Sequence, residues 1–332
     1  VARYFARTTG SLVADALEGF ARAHGDLVAY HPEHGYLRAR HSSPLRRVGV
    51  VSGGGSGHEP LHTGFVGAGM LDAACPGQIF ASPHNRQIFE ASRAVARREG
   101  VLHIVKNYTG DRINFGIAAE RLAHERVPCA RLLVDDDLAS DDPAVAVGRR
   151  GTGGTVLLEK LLGAAADRGL GLEELTALGT RLAGRCRSLA VASAPPTSPT
   201  TGRPAFELPP GVLEYGVGIH GERAGRTLAD EPLDALVDRM TTSLLAALPP
   251  PPDGGLIALV SGLGSVTRLE LYAVLRELGR ALDGRGLALR RSLVGEFVTA
   301  LDTGGFCLTL LTTDEEATGL YDAPVSTPAW RW

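Results

Sequence analysis

Short apolar runs that stop at clusters of glycine and polar residues recur along this chain, with stretches of helical periodicity between them. RRVGVV runs into residues 52–60, crowded with glycine; VLHIVKN runs into YTGD; ARLLVDDD ends on three aspartates. Helical patterns stand at residues 10–24, behind a serine that offers an N-cap, at NFGIAAERLAHE and at TVLLEKLLGAAADRG. Strand and helix alternating in this way predict α/β architecture. Glycine and polar residues gather where the strands end, and open α/β sheets place ligands there. After residue 194 a stretch rich in proline, serine and threonine, ASAPPTSPTTGRP, reads as a surface loop or linker. Beyond it, LIALVSGLGSVTRLELYAVLREL reads as strand, glycine turn and helix, and its VSGLGS echoes the earlier VSGGGS. The expectation is two α/β domains, each a central sheet flanked by helices. The first is residues 1–183 and the second residues 184–332, with a C-terminal tail able to pack back on the first.

Composition narrows the function. A formal net charge of −3 over 332 residues gives no basic field for nucleic acid or an anionic membrane. No apolar run approaches the roughly 20 residues of a membrane span. VARYFARTTG has no apolar core of the secretory kind, so a cytoplasmic location is expected. The four cysteines, Cys75, Cys129, Cys186 and Cys307, form no CxxC pair, which argues against a zinc ribbon or a disulfide framework. Lysine is rare beside arginine, which makes Lys106 easy to notice.

Four motifs carry candidate chemistry. SGGGSGHEP lacks the Lys-Ser or Lys-Thr of a P-loop, and Pro60 follows too soon for a dinucleotide fingerprint. What remains is a glycine loop whose N–H groups approach a small ligand, or a structural turn. HEPLH, residues 58–62, matches a zinc-protease pattern in letters. That pattern needs both histidines on one continuous helix, and Pro60 with the glycines upstream opposes one, so no metal is expected. KNYTGDRINFG sets Lys106 and Asp111 on a turn after a strand, where the aspartate either caps the next helix or acts as a general base. GIHGE sets His220 between glycines, either as a solvated turn histidine or as an imidazole that a ligand carbon can reach.

Taken together, VSGGGSGHEPLHTGFVGAGMLDAACPGQIFASP, VKNYTGDRINFGIAAE, GRRGTGGTVLLEK, FELPPGVLEYGVGIHGE, SLVGEFVTALDTGGFCLTLL and DAPVSTPAW closely resemble the K subunits of dihydroxyacetone kinases, in family order over almost the whole chain. The resemblance implies that His220 adds to the carbonyl carbon of dihydroxyacetone to give a hemiaminal. His58 would then hydrogen-bond the triose and move protons, and Asp111 would accept the proton of the attacking hydroxyl. Gly55, Ser56, Gly57 and Lys106 would line the site. The resemblance further implies no cofactor in this chain, with ADP or ATP and Mg on a separate L subunit. That subunit would be recharged through an M phosphotransferase protein from phosphoenolpyruvate, and the K subunit would be a homodimer. Departures are Arg223 where the family has proline, no VNDP-like opening, SAPPTSPTTG where a cysteine-proline loop is expected, and His84 and Arg86 expected near the rim of the site. A ketose-sensing co-regulator and a kinase subunit for a tetrulose such as erythrulose are the alternative readings.

Overall fold

The computed structural model describes residues 4–141 and 148–332; the first three residues of the opening segment and residues 142–147 lie outside it. The chain divides into two compact units, each built from discontinuous stretches. One, the glycine-strand unit, takes Tyr4–Val134, Thr155–Arg181 and Gly319–Trp332; the other, the histidine-loop unit, takes Asp135–Gly154 and Leu182–Thr318. A single cut between residues 183 and 184 therefore does not describe the grouping. Residues 135–154 go with the later half of the chain and the last fourteen residues, 319–332, with the earlier half.

The glycine-strand unit opens with helix α1 (Leu12–Ala23) and the strands β1 (Val28–His31), β2 (Tyr36–Ala39), β3 (Gly49–Ser56) and β4 (Ala73–Ile79). Helix α2 (Asn85–Val95), β5 (Val101–Lys106), α3 (Thr109–His124) and β6 (Cys129–Val134) follow, and then α4 (Gly154–Asp167) and α5 (Leu172–Gly184). The sheet order is β1-β2-β4-β3-β5-β6; β4, β3, β5 and β6 run parallel and β1 and β2 are antiparallel additions. From β3 the chain passes to β4 on one side, and from β5 to β6 on the other. The crevice at the C-terminal ends of β3 and β5 is thus the point where the winding reverses, the usual ligand position in such sheets.

Much of the stretch read as a glycine loop is strand. VSGGGS lies inside β3, whose residues are buried throughout, and only Gly57 (φ +98°) begins the turn. Glycine is needed in the strand because neighbours press close: a Cβ on Gly53 would lie 2.9 Å from the Cβ of Cys75. Helix α1 starts where the pattern placed it, but Ser11 makes no side-chain cap; it exchanges hydrogen bonds with Thr8 instead.

A buried ion-pair cluster fastens this unit. Arg46 donates to Asp72 and Asp167, each at 2.5 Å, and to the carbonyls of Met70 and Gly163. On α4, the Lys160 ammonium donates to the carbonyls of Leu320 (2.8 Å) and Ala323 (3.0 Å).

The histidine-loop unit contains β7 (Cys186–Ala194), β8 (Val212–Tyr215), β9 (Thr227–Ala229), α6 (Leu233–Ala247), β10 (Gly255–Gly262), α7 (Arg268–Asp283), β11 (Ala288–Gly295), β12 (Gly304–Thr313) and α8 (Glu315–Tyr321), the last reaching past its boundary. Its order is β11-β10-β12-β7-β8-β9, with only the β10–β11 pair parallel. Both sheets are mixed, with helices flanking each. Their strand orders differ, so the echo of VSGGGS in VSGLGS is not a repeated topology. Leu256, Ala258 and Val260 alternate along β10 toward a core they share with Val237, Met240 and Leu244 of α6 and Leu271, Val274 and Leu278 of α7. A Thr267–Glu270 capping box starts α7. Among the described residues no helix is long and apolar enough to cross a membrane.

Candidate active site

At the β3–β5 crevice the expected pair comes together. Lys106 is the last residue of β5 and Asp111 lies in the first turn of α3, so the turn between them is shorter than the sequence suggested. Helix α3 starts at Thr109 rather than near residue 114. Its buried stripe is Asp111, Phe115, Ala118 and Leu122, so the carboxylate occupies a position that helical spacing would otherwise give to an apolar side chain. Tyr108 is the N-cap residue, so Asp111 is not there as a cap. The Lys106 ammonium stands 3.5 Å from Asp111 Oδ2, with both side chains buried. Asp111 Oδ1 has no hydrogen-bond partner among the described residues.

Two further groups stand behind this pair. Lys106 Nζ is 2.8 Å from Nε2 of His62, whose Nδ1 is 2.5 Å from Oε1 of Glu159 and 3.0 Å from the Ser52 hydroxyl. Ser52 in turn donates to the carbonyl of Ile104. Burial, with the charges of Lys106 and His58 nearby, holds the His62 imidazole well below its ordinary pKa. Burial pushes the Glu159 carboxyl up to about 8, against the opposing pull of Ser52 and Lys106. In the sequence His62 stands out only as the second histidine of HEPLH, and Glu159 belongs to none of the four motifs. The available signal was an adjacent Glu-Lys pair inside the apolar run VLLEKLL.

The glycine-strand residues divide by role. A Cβ on Gly54 would run into Lys106 Nζ and lie 3.1 Å from His62 Nε2, so the glycine next to the expected trio is the one that touches the lysine. Gly55 packs against the backbone of Phe80 and Ala81, Ser56 donates to the carbonyl of Gly77 (2.7 Å), and the Gly57 N–H donates to the Glu59 carboxylate. His58 is fully buried, and its ring stacks on Phe80 with centroids 5.1 Å apart. No helix spans residues 58–62, and among the described residues no three His, Cys, Asp or Glu side chains group as a metal site. His84, expected near the rim, is the N-cap of α2, with Nδ1 accepting from the Arg86 N–H.

In the histidine-loop unit, His220 lies in the loop after β8, between Gly216 (φ +93°) and Gly221 (φ +75°). Its backbone N–H and ring Nδ1 both meet the Glu222 carboxylate, at 2.8 and 2.9 Å. Burial raises the Glu222 pKa, but the hydrogen bond and charge of His220, with Arg150 beyond, outweigh it and bring the group down to about 2. Glu222 is therefore a carboxylate at any working pH. A carboxylate on Nδ1 keeps the ring proton there, which puts the lone pair of the neutral ring on Nε2. Arg150 holds the loop from below, donating to the Gly216 carbonyl (3.0 Å) and to Asp137 (2.7 Å). The aspartates ending ARLLVDDD are thus structural: Asp135 pairs with Arg149, Asp137 with Arg150, and Asp136 accepts from the Thr152 and Gly154 N–H groups.

Arg223, the departure beside the His220 loop, has a physical partner. Its guanidinium is 2.8 Å from the fully buried Glu214 carboxylate and 5.2 Å from the centre of the Phe206 ring. The four thiols are unpaired, and burial raises their pKa values, that of Cys129 to about 12.

Comparison with known proteins agrees with these features. The PEP-dependent dihydroxyacetone kinase, dihydroxyacetone-binding subunit DhaK of Escherichia coli (strain K12) is 40% identical over 342 residues, covering 96% of each chain. The solved structure of the dihydroxyacetone kinase of C. freundii superposes with a TM-score of 0.89 at 35% identity, over all of this chain and 60% of that one. The dihydroxyacetone kinase operon co-activator Dha-DhaQ superposes with a TM-score of 0.90 at 32% identity, over 95% of this chain and 97% of that one. Residues 18–329 match the Dak1 domain model, and the chain belongs to the Dak1 domain family.

Proposed function

We propose that this chain is the substrate-holding subunit of a dihydroxyacetone kinase. In this reading Nε2 of His220 attacks the ketone carbon of dihydroxyacetone. The carbonyl electron pair moves to oxygen, which takes a proton from His58, and the imidazolium charge that develops is stabilised by Glu222. Glycerol, with no electrophilic carbon, is excluded. Asp111 then accepts the proton of the terminal hydroxyl as that oxygen attacks phosphorus. Lys106, Gly55, Ser56 and Gly57 shape the pocket. The phosphoryl donor is a nucleotide, ADP or ATP with Mg, on a separate L subunit. Recharging through an M protein from phosphoenolpyruvate is favoured by the PEP-dependent description of the E. coli relative. A homodimer in the cytoplasm completes the proposal.

The observation that carries it is the His220–Glu222 contact in a glycine-bounded loop, because it prepares one ring nitrogen as a nucleophile. The test uses dihydroxyacetone labelled with carbon-13 at the ketone. The wild-type chain should move the label into the tetrahedral region, and His220→Ala should leave it a ketone. Equal adduct with His220→Ala would overturn the reading. With an L subunit present, Asp111→Ala should keep the adduct and lose about 10²–10⁴-fold in transfer rate.

The likeness to the co-activator favours a second reading, a sensor that binds the ketose and reports to a transcription partner. Such a protein needs the histidine but no base, so the buried Lys106–Asp111 pair weighs toward the kinase. Adduct without transfer to any competent L subunit would favour the sensor. Erythrulose in the same assays separates the tetrulose alternative.

A further inference from the structure

Glu159 and His62 take no part in the chemistry above, yet they are among the most deeply buried polar groups of the chain, at 0% and 4% exposure. Burying an ionisable pair costs several kcal/mol unless its geometry is well satisfied. Beside a branch through the Ser52 hydroxyl to the Ile104 carbonyl, their contacts lead through Nζ of Lys106 to Asp111. We propose that His62 and Glu159 are positioning residues of this site. They form a buried relay, Glu159 to His62 to Lys106 to Asp111, that fixes which His62 nitrogen carries its proton and so holds the ammonium against the base. The inference rests on the reading of Asp111 as that base.

The tautomer follows from counting protons. An ammonium has only donors, so His62 Nε2, 2.8 Å from Lys106 Nζ, must offer its lone pair. A neutral imidazole then carries its hydrogen on Nδ1. That hydrogen points at Glu159 Oε1 and the Ser52 hydroxyl, whose own hydrogen goes to the Ile104 carbonyl. Oε1 accepts in either state of Glu159, because a carboxylic acid keeps one acceptor oxygen. If Glu159 instead donated to Nδ1, the ring hydrogen would move to Nε2 and face the ammonium. Lys160, the neighbour of Glu159 in sequence, does not compete, since its ammonium goes to the carbonyls of Leu320 and Ala323. Gly54 contributes by lacking a Cβ where Lys106 Nζ must sit.

Two measurements test the relay. In the full chain labelled with nitrogen-15 histidine, the His62 signals, identified by their loss in His62→Gln, should report a neutral ring protonated on Nδ1. A ring protonated on Nε2 would overturn the proposal. The second measurement compares His62→Gln with His62→Leu in phosphoryl transfer, with an L subunit and its nucleotide. Glutamine keeps an acceptor for Lys106, whereas leucine fills the space without one. The relay requires leucine to lower kcat about ten-fold or more with KM for dihydroxyacetone nearly unchanged, and glutamine to recover most of the loss. A packing role predicts the opposite order, because an apolar side chain suits a buried site better, and that order would also overturn the proposal. If the wild-type chain forms an adduct but transfers nothing, the kinase reading fails by itself and the nitrogen shifts still decide the relay.

Discussion

At Gly54 a single missing carbon decides where a charge sits. The Lys106 ammonium fills the space a Cβ would take, held there by His62 Nε2 and the Gly53 carbonyl (3.3 Å). An alanine leaves β3 able to pair, because alanine tolerates extended backbone, but it drives Nζ away from Asp111. Gly54→Ala is therefore expected to fold with a near-normal melting temperature, to keep the adduct on His220, and to lose about 100-fold in kcat, the usual scale for a misplacement near 1 Å. Calorimetry beside a transfer assay checks this. The sequence marked the stretch as special but could not say which glycine meets the lysine. That depends on the register of β3 against β5, where Gly53 pairs with Val105.

Two helices show what patterning conveys and what it hides. The periodicity of α3 was readable from Asn114 onward, but its first turn was not, because TGD looks like turn chemistry and the apolar stripe is interrupted by Asp111. In α4 the helical pattern was readable, and the structure shows that the helix is buried. The Glu159-Lys160 pair within it was the departure from local pattern that points to function. Glu159 also sets a pH dependence. Its folded pKa of about 8 lies above its ordinary value of 4.5, so between those values the folded state holds the extra proton and stability falls as pH rises. Glu159→Gln removes this penalty. Its denaturant midpoint should improve relative to wild type on going from about pH 5 to about pH 8. A constant gap across that range would contradict the burial effect. The ionised Glu222, by contrast, stays charged until acid near its lowered pKa of about 2.

The whole molecule was legible in class and opaque in partition. Alternating strands and helices announced two α/β sheets, yet the proline-rich stretch after residue 194 is not where the units divide. The chain passes between units at residues 134/135, 154/155, 181/182 and 318/319. These are single peptide steps without linkers, so they leave no trace in composition. Within the glycine-strand unit the Arg46 cluster draws together segments distant in sequence, Asp72 just before β4 and Asp167 at the end of α4. Removing its guanidinium would leave two carboxylates facing each other across a site that is largely dry. Arg46→Ala should cost about 3–5 kcal/mol. Unfolding followed by a probe in that unit measures it, and a loss under about 1 kcal/mol would mean the carboxylates find other partners.

Among the described residues the Lys160 ammonium finds its acceptors on the carbonyls of Leu320 and Ala323, some 160 residues further along. During synthesis the helix bearing it emerges long before those carbonyls exist, with Leu182–Thr318 of the histidine-loop unit made in between. The sheet beside α3 and its Asp111 can therefore begin to form early, but the Lys160 cation of α4 gains these acceptors only once residues 320–323 have been made. For this chain the order of translation and the order of completion run in opposite directions.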